Sequence, residues 1–216
     1  MEARRTLGKV LEDIDRRILQ YFAVIIEDIV VATDTLLGTD EREAAMLVRE
    51  REKMIENAWR ELEHDIELAF AREAPVASDL RFLLSAVRLI PELERTHDLV
   101  EHIWKRGRTG LGRELPPVCR GIVAELGRVV REMWAELAEA YIHRDAGVEE
   151  SLQEKDDDVD ELRTQLVAGI IDGNLPTSVV TEMVLIARFY ERIGDHAVNI
   201  SRRVVYLARG HTAAAD

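Results

Sequence analysis

A single cysteine, Cys119, stands in the 216 residues, so no intrachain disulfide can staple this fold, and a reducing compartment is expected. Proline and glycine number only 5 and 12, and aromatics make up 5%. So few chain breakers favour long helices over a β-rich fold with its frequent turns. A membrane-spanning run is missing as well: the longest apolar stretch, YFAVIIEDIVVA, is interrupted by Glu27 and Asp28. The opening MEARRTLGKVLED lacks the apolar stretch of a secretory signal. Neither a glycine-rich phosphate loop nor a nucleophile–base arrangement can be found. Positive charge is in deficit, with a net charge of −13, so the molecule should repel nucleic acid and anionic lipid and attract cations. These absences together predict a soluble cytoplasmic protein that is not an enzyme, binds no nucleic acid and does not insert into membranes.

What is present is acid, and it is ordered. Carboxylates four residues apart occur as Glu94/Asp98 in ELERTHDLVEHI and Glu191/Asp195 in FYERIGDHAVNI. Upstream of each lies another such pair, Glu52/Glu56 in REKMIEN and Asp156/Asp160 in EKDDDVDEL. A spacing of four stacks two side chains on one helix face. The pairs also mirror one another across turn signals. Glu56 and Glu94, like Glu52 and Asp98, are centred on Pro75, while Asp160 and Glu191, like Asp156 and Asp195, are centred between Leu175 and Pro176. Antiparallel helices folded at those turns bring four carboxylates to one height in each hairpin. Four such groups repel unless protonated or bridged by a cation, and all-oxygen ligation suits hard or borderline metals. Asn199, four residues past Asp195, either adds a carbonyl ligand or makes a helix–helix hydrogen bond. The plain alternative is that these acids line solvated faces and pair with arginines such as Arg81, Arg95 and Arg192.

Breaker signals divide the chain into six helical segments, at about 7–37, 40–73, 78–105, 118–144, 148–171 and 176–209. Ser78 is expected to cap the third, and Pro176 suits a first helical turn. RGRTGLGRELPP is the one stretch resembling a linker, with Arg106, Arg108 and Arg113 read as solvated charges. A shift of 97 residues places Glu94, Arg95 and Asp98 on Glu191, Arg192 and Asp195, and a shift of 104 places Glu52 and Glu56 on Asp156 and Asp160. The expected fold is all-α: six long helices in two tandem antiparallel three-helix bundles, 1–108 and 109–216. Trp59, Trp104 and Trp134 are expected in the core or at a dimer contact, and His64, His143 and His211 at the surface.

PVASDLRFLLSAVRLIPELERTHD, DDDVDEL and ARFYERIGDHAVNIS resemble the PhoU family of phosphate-signalling regulators, and the likeness extends over essentially the whole chain. The resemblance implies a helical protein that binds metal clusters through its acidic motifs; all-oxygen ligation there suits Mg, Mn, Ca or iron, and a nearby imidazole shifts preference toward Fe or Zn. It also implies a negative regulator of phosphate uptake and the phosphate-starvation response. Such a regulator is expected to act with the ATPase of a phosphate ABC transporter and with a sensor histidine kinase, often as a homodimer. The first half departs from the pattern. ERTHD stands where ERIGD is usual, so His97 replaces a glycine that permits close helix approach, His102 stands at the place of Asn199, and Pro91 removes a backbone hydrogen bond ahead of Glu94.

Two rival readings remain at this stage. A ferritin-like di-iron enzyme needs Glu-x-x-His motifs on facing helices, and Glu61/His64 and Glu94/His97 have that form. Folded about Pro75, however, His64 faces Ala86, about 12 Å along the axis from Glu94 at 1.5 Å per residue. The other rival is a metal-free helical scaffold whose acidic stripes attract basic partners.

Overall fold

A computed structural model describes the backbone of residues 2–38 and 43–210 and the side chains of 7–38, 55, 57–72 and 74–210. Six α-helices account for nearly all of it: α1 Glu2–Leu37, α2 Glu43–Glu73, α3 Ala77–Gly107, α4 Pro117–His143, α5 Val148–Asp172 and α6 Thr177–Arg209. Among the described residues there is no strand, and no helix is long and apolar enough to cross a membrane.

The hairpins turn where the mirrored acids place them, at 74–76 and 173–176. Ser78 is not the cap of α3: the helix starts at Ala77 behind an extended Val76, and the Ser78 hydroxyl reaches only Asp79 Oδ1 at 3.5 Å. Hydrogen bonding to a neighbouring side chain leaves the first-turn amides to other partners. Pro176 sits one position ahead of its expected place, as the N-cap of α6, and its carbonyl accepts from Val180 N at 3.0 Å. The α3 helix runs unbroken through Pro91.

Four helices form the centre. The α1, α3, α4 and α6 helices pack in a square, with α2 against α1 and α3, and α5 against α4 and α6. One continuous apolar core runs through them, including Ile14, Ile18, Leu83, Leu93, Trp134 and Ile186, each no more than 1% exposed. All three tryptophans are in this core. Trp59 stacks on Tyr21 with ring centroids 3.8 Å apart, which ties α2 to α1. Phe22 of α1 meets Trp134 and Tyr141 of α4 at 6.0 and 5.4 Å, so aromatic packing joins the two halves.

Polar contacts fix the register of that junction. The Thr33 hydroxyl donates to the Ile29 carbonyl at 2.8 Å, which leaves Tyr190 of α6 to donate to Thr33 Oγ1 at 2.8 Å. At the other end of α1, Asp15 accepts from Tyr141 Oη at 2.7 Å and from Arg144 at 2.9 Å. Between α3 and α6, Glu92 accepts from Asn199, His102 packs on Phe189, and Arg106 pairs with Glu182 at 2.7 Å. Early residues of one helix thus meet late residues of the other, so α3 and α6 are antiparallel. Arg106 is therefore not a solvated linker charge. It ties the halves together and lies 5.1 Å from the Phe189 ring centroid.

The stretch expected to be a linker is packed. A short 3-10 helix, Leu111–Glu114, buries Leu111 and Gly112, and Leu115 beyond it is also buried. Arg120 donates to the carbonyls of Gly112 at 2.8 Å and Leu37 at 2.7 Å, clamping the crossover to the end of α1. The approach at Gly112 is so close that a methyl group there would overlap the Leu36 carbonyl oxygen and lie 2.8 Å from its carbon. Elsewhere the lone Cys119 is buried in α4 against α5, where a methyl group on Gly169 would lie 3.0 Å from its Sγ, and burial raises its pKa.

Gly112→Ala should therefore destabilise the protein, by about 1–3 kcal/mol for overpacking. That corresponds to a melting point lower by roughly 3–10 °C for a chain of this size. Gly121, exposed in α4 with open space around it, supplies the control. Gly121→Ala should stabilise by about 0.4–1 kcal/mol. Equal melting points for Gly112→Ala and the wild type would mean that the crossover is free to move away from α1.

Candidate metal centre

The second hairpin sets its acids by a backbone contact. On α6, a Cβ at position 194 would lie 2.6 Å from Asp156 Oδ1, so a larger residue than glycine would push the Asp156 carboxylate of α5 aside. Farther along, Arg202 Nε lies 3.3 Å from Glu149 Oε1 and holds the same register. The indole of Trp134 donates to the Ile193 carbonyl at 3.1 Å, fixing α4 against α6 one residue before that glycine.

In this frame Asp156 feels its neighbours. Burial pushes its pKa up to about 6, reinforced by the negative charges of Asp195, Asp160 and Asp157 and opposed by Arg202. Asp160, one turn on, is exposed, with its Oδ1 at 3.6 Å from Arg163 Nε. Glu191 is buried; Arg188 pairs with its Oε1, while Oε2 is buried without a hydrogen-bond partner. An orphaned buried carboxylate oxygen on α6, with the Asp156 carboxyl against Gly194 of the same helix, offers oxygen donors of the kind that suit a hard or borderline cation. Asp195 is exposed on the same stretch of α6. Asn199 makes the helix–helix bond: its Nδ2 donates to Glu92 Oε2 at 3.4 Å, and its Oδ1 accepts from Arg202 at 3.3 Å. Among the described residues, no three His, Cys, Asp or Glu side chains converge closely enough to hold a metal ion as they stand. A cation held here by Asp156, Asp160, Glu191 and Asp195 would draw in their carboxylates and detach Glu191 from Arg188.

The first half is built differently. Glu94 and Asp98 share the exposed face of α3, and the Glu94 pKa is raised by burial, then by Asp98 and by Glu63 of α2. Glu52 and Glu56 lie on α2 with side chains outside the described residues. His97 does not join these acids. It is buried and turned to α1, where its Nε2 lies 3.6 Å from Asp28 Oδ2. Where the second half admits a carboxylate against glycine, the first fills the corresponding position with an imidazole. The Glu-x-x-His motifs fare no better as a set, since Glu61, His64 and Glu94 are exposed while His97 is interior.

Two acids escape a reading by spacing. Asp28 is 3% exposed, inside the apolar stretch that it interrupts. A carboxylate amid an apolar helical run is itself a sign of a buried partner. Glu92 binds Arg95 at 3.0 Å through Oε1 and His196 Nδ1 at 2.7 Å through Oε2, which joins α3 to α6. Its position two residues before Glu94 puts it on another helix face.

The raised Asp156 pKa makes a signed prediction for the metal-free protein. The folded value lies above the unfolded value of about 3.9, so the native chain holds this proton more tightly. The resulting stability is full below about pH 4 and is lost as pH rises through about 6. Asp156→Asn should therefore be more stable than the wild type at pH 7.5, with the gap closing towards pH 4.5, as read by urea unfolding. A carboxyl resonance of Asp156 titrating near 4 would exclude this account.

The PhoU domain model matches residues 18–106 and 123–204. A phosphate-specific transport system accessory protein, PhoU homolog 1 of Mycobacterium leprae, is 35% identical over 182 residues, covering 83% of this chain and 82% of its own. The PhoU homolog of Pseudomonas aeruginosa is 30% identical over 204 residues, covering 93% and 84%. The crystal structure of PhoU from Pseudomonas aeruginosa aligns with a TM-score of 0.84 at 28% identity, over 94% of this chain and 99% of that one. PhoU from Streptococcus pneumoniae, a phosphate transport system regulatory protein, aligns at 0.81 with 24% identity, covering 96% and 99%, a likeness of fold. With the family model matched in both halves and relatives above 30% identity along most of its length, this chain belongs to the PhoU family.

Proposed function

We propose that this protein is a regulator of phosphate transport that acts by contact and depends on metal bound to its acidic hairpins. Family membership carries the regulatory part: relatives that match most of the chain are named as accessory proteins of phosphate-specific transport systems. The transporter ATPase and a phosphate-sensing histidine kinase are the expected partners, with a homodimer in the cytoplasm as the working form. The halves 1–108 and 109–216 act as two copies of one three-helix unit. The pairing of Glu92 with Asn199 and of His102 with Phe189 supports this, because these are equivalent contacts of a pseudo-twofold arrangement about the α3–α6 seam.

For the metal part, the supporting observation is the Asp156 carboxylate lodged against Gly194 and surrounded by like charge. Glu191, Asp195, Asp156 and Asp160 form one ligand set, and Glu94, Asp98, Glu52 and Glu56 the other. Bound metal supplies positive charge that offsets carboxylate repulsion. It does so by binding the native state alone, for a gain of about 2.7 kcal/mol at a hundredfold excess over Kd. Asp195→Asn keeps the shape and removes one charge. It should lower metal content, measured by elemental analysis, and shrink the drop in melting point caused by a chelator. If Asp195→Asn and wild type hold the same metal and respond alike to chelation, the α5–α6 acids are a solvated face and the metal-free scaffold is the better reading.

The regulatory part is tested in cells. Deleting the gene should leave phosphate-responsive genes active when phosphate is plentiful, with expression restored to normal by the wild-type chain. Normal repression in a deletion strain that holds no second family member would overturn it.

A further inference from the structure

The α3–α6 seam carries a second charged site, of opposite sign to the acidic hairpins. The contacts already described put Glu92 opposite Asn199 and His102 opposite Phe189, and a Cβ on Gly210 would lie 3.8 Å from Arg81 Cζ. The same antiparallel register sets Arg88 of α3 level with Arg203 of α6. Arg202 and Tyr206 flank them on α6, and Glu92 lies one turn along α3.

Most arginines of this molecule have a partner: Arg17 holds Asp13 and Asp65, Arg106 holds Glu182, Arg128 holds Glu125 and Glu132, and Arg202 holds Glu149. Among the described residues Arg88 and Arg203 make no hydrogen bond or ion pair. Among those residues Arg81, Arg131 and Arg192 lack such a partner too, but Arg88 and Arg203 are set level with each other on adjoining helices. Glu92 acts on Arg203 only through its charge, because its two oxygens accept from Arg95, His196 and Asn199. Arg203 is half-buried and Arg88 exposed; burial and then the guanidinium groups of Arg88 and Arg202 lower the Arg203 pKa, opposed by the charge of Glu92 and by Tyr206. In a chain of net charge −13, two level guanidinium groups that repel each other and have no hydrogen-bonded acid among the described residues are a local concentration of positive charge.

We propose that Arg88 and Arg203 form an oxyanion site for a phosphate-type group, held by paired guanidinium forks with Arg202 and the Tyr206 hydroxyl at its edge. A tetrahedral oxyanion offers acceptors to two planar donors at once and relieves their mutual repulsion. Free inorganic phosphate and a phosphorylated side chain present the same chemistry. This site adjoins the α5–α6 acids through Arg202, which also acts on Asp156, but it does not depend on the metal reading.

The test uses the full chain freed of metal by chelation, so that metal-bound phosphate contributes no signal. Calorimetric titration at fixed ionic strength should find binding of inorganic phosphate near one equivalent, with chloride inert. Losing one charge-assisted contact should weaken it about tenfold or more in both Arg88→Ala and Arg203→Ala. Arg203→Lys should recover only part of the affinity, because it keeps the charge and loses the fork. Arg128→Ala, on the α4 surface, should bind as wild type does, and melting curves confirm that each variant is folded. A phosphoserine peptide binding at least tenfold more tightly than inorganic phosphate, with the same dependence on Arg88 and Arg203, would identify a phosphorylated partner as the source. Equal phosphate binding by wild type, Arg88→Ala and Arg203→Ala, equal loss in Arg128→Ala, or no phosphate or phosphopeptide binding by wild type would overturn the proposal.

Discussion

Carboxylate repulsion is the constraint around which this chain is built. It has 42 acidic residues against 29 lysines and arginines, so many acids must find relief within the fold. Three kinds of relief are visible. On exposed helix faces, arginines three or four residues away serve, as Arg128 does for Glu125 and Glu132; such pairs contribute little to stability. Inside, the partners vary, with His97 beside Asp28, His196 bonded to Glu92 and Arg188 paired with Glu191. Between α5 and α6 neither suffices, and Asp156 is left among acids with its affinity for a proton increased. An unrelieved cluster in a molecule that relieves its buried acids elsewhere is where an external cation has most to contribute.

On the proposed duplication of one three-helix unit, divergence accounts for the asymmetry. The two halves place equivalent helices about one seam, yet equivalent positions carry different chemistry. Gly194 lets a carboxylate approach the backbone, whereas His97 turns inward to a buried aspartate. Phe189 packs on His102, while its counterpart Glu92 holds His196 and Asn199. Copies that meet across a pseudo-twofold seam need not keep the same residues, provided each contact is satisfied from both sides.

Much of this was legible from residue spacing. Period and breakers locate six helices, and the mirrored acids locate both turns, because an antiparallel hairpin fixes which residues are level. The register of α5 on α6 follows from the same mirror, with Asp156 beside Gly194. What escaped depends on three-dimensional neighbours. RGRTGLGRELPP has a linker's composition, but the packing of Gly112 on Leu36 depends on how α1 ends. Arg106 looks solvated until α6 supplies Glu182 and Phe189. Ser78 has a capping residue's identity, yet the chain enters α3 one residue earlier. The roles of Asp28 and Glu92 emerge only once α1 and α6 have docked on α3.

The lone thiol of Cys119 has a consequence of its own. It is sealed between α4 and α5, close to the Gly169 backbone, with its ionisation suppressed by burial. A thiol reagent cannot reach it until those helices part, and the thiolate that reacts forms readily only in the opened state. Its rate of covalent labelling thus counts openings of the half that carries the Asp156 cluster. With no other cysteine in the chain to contribute, the unmodified protein carries its own clock for that motion.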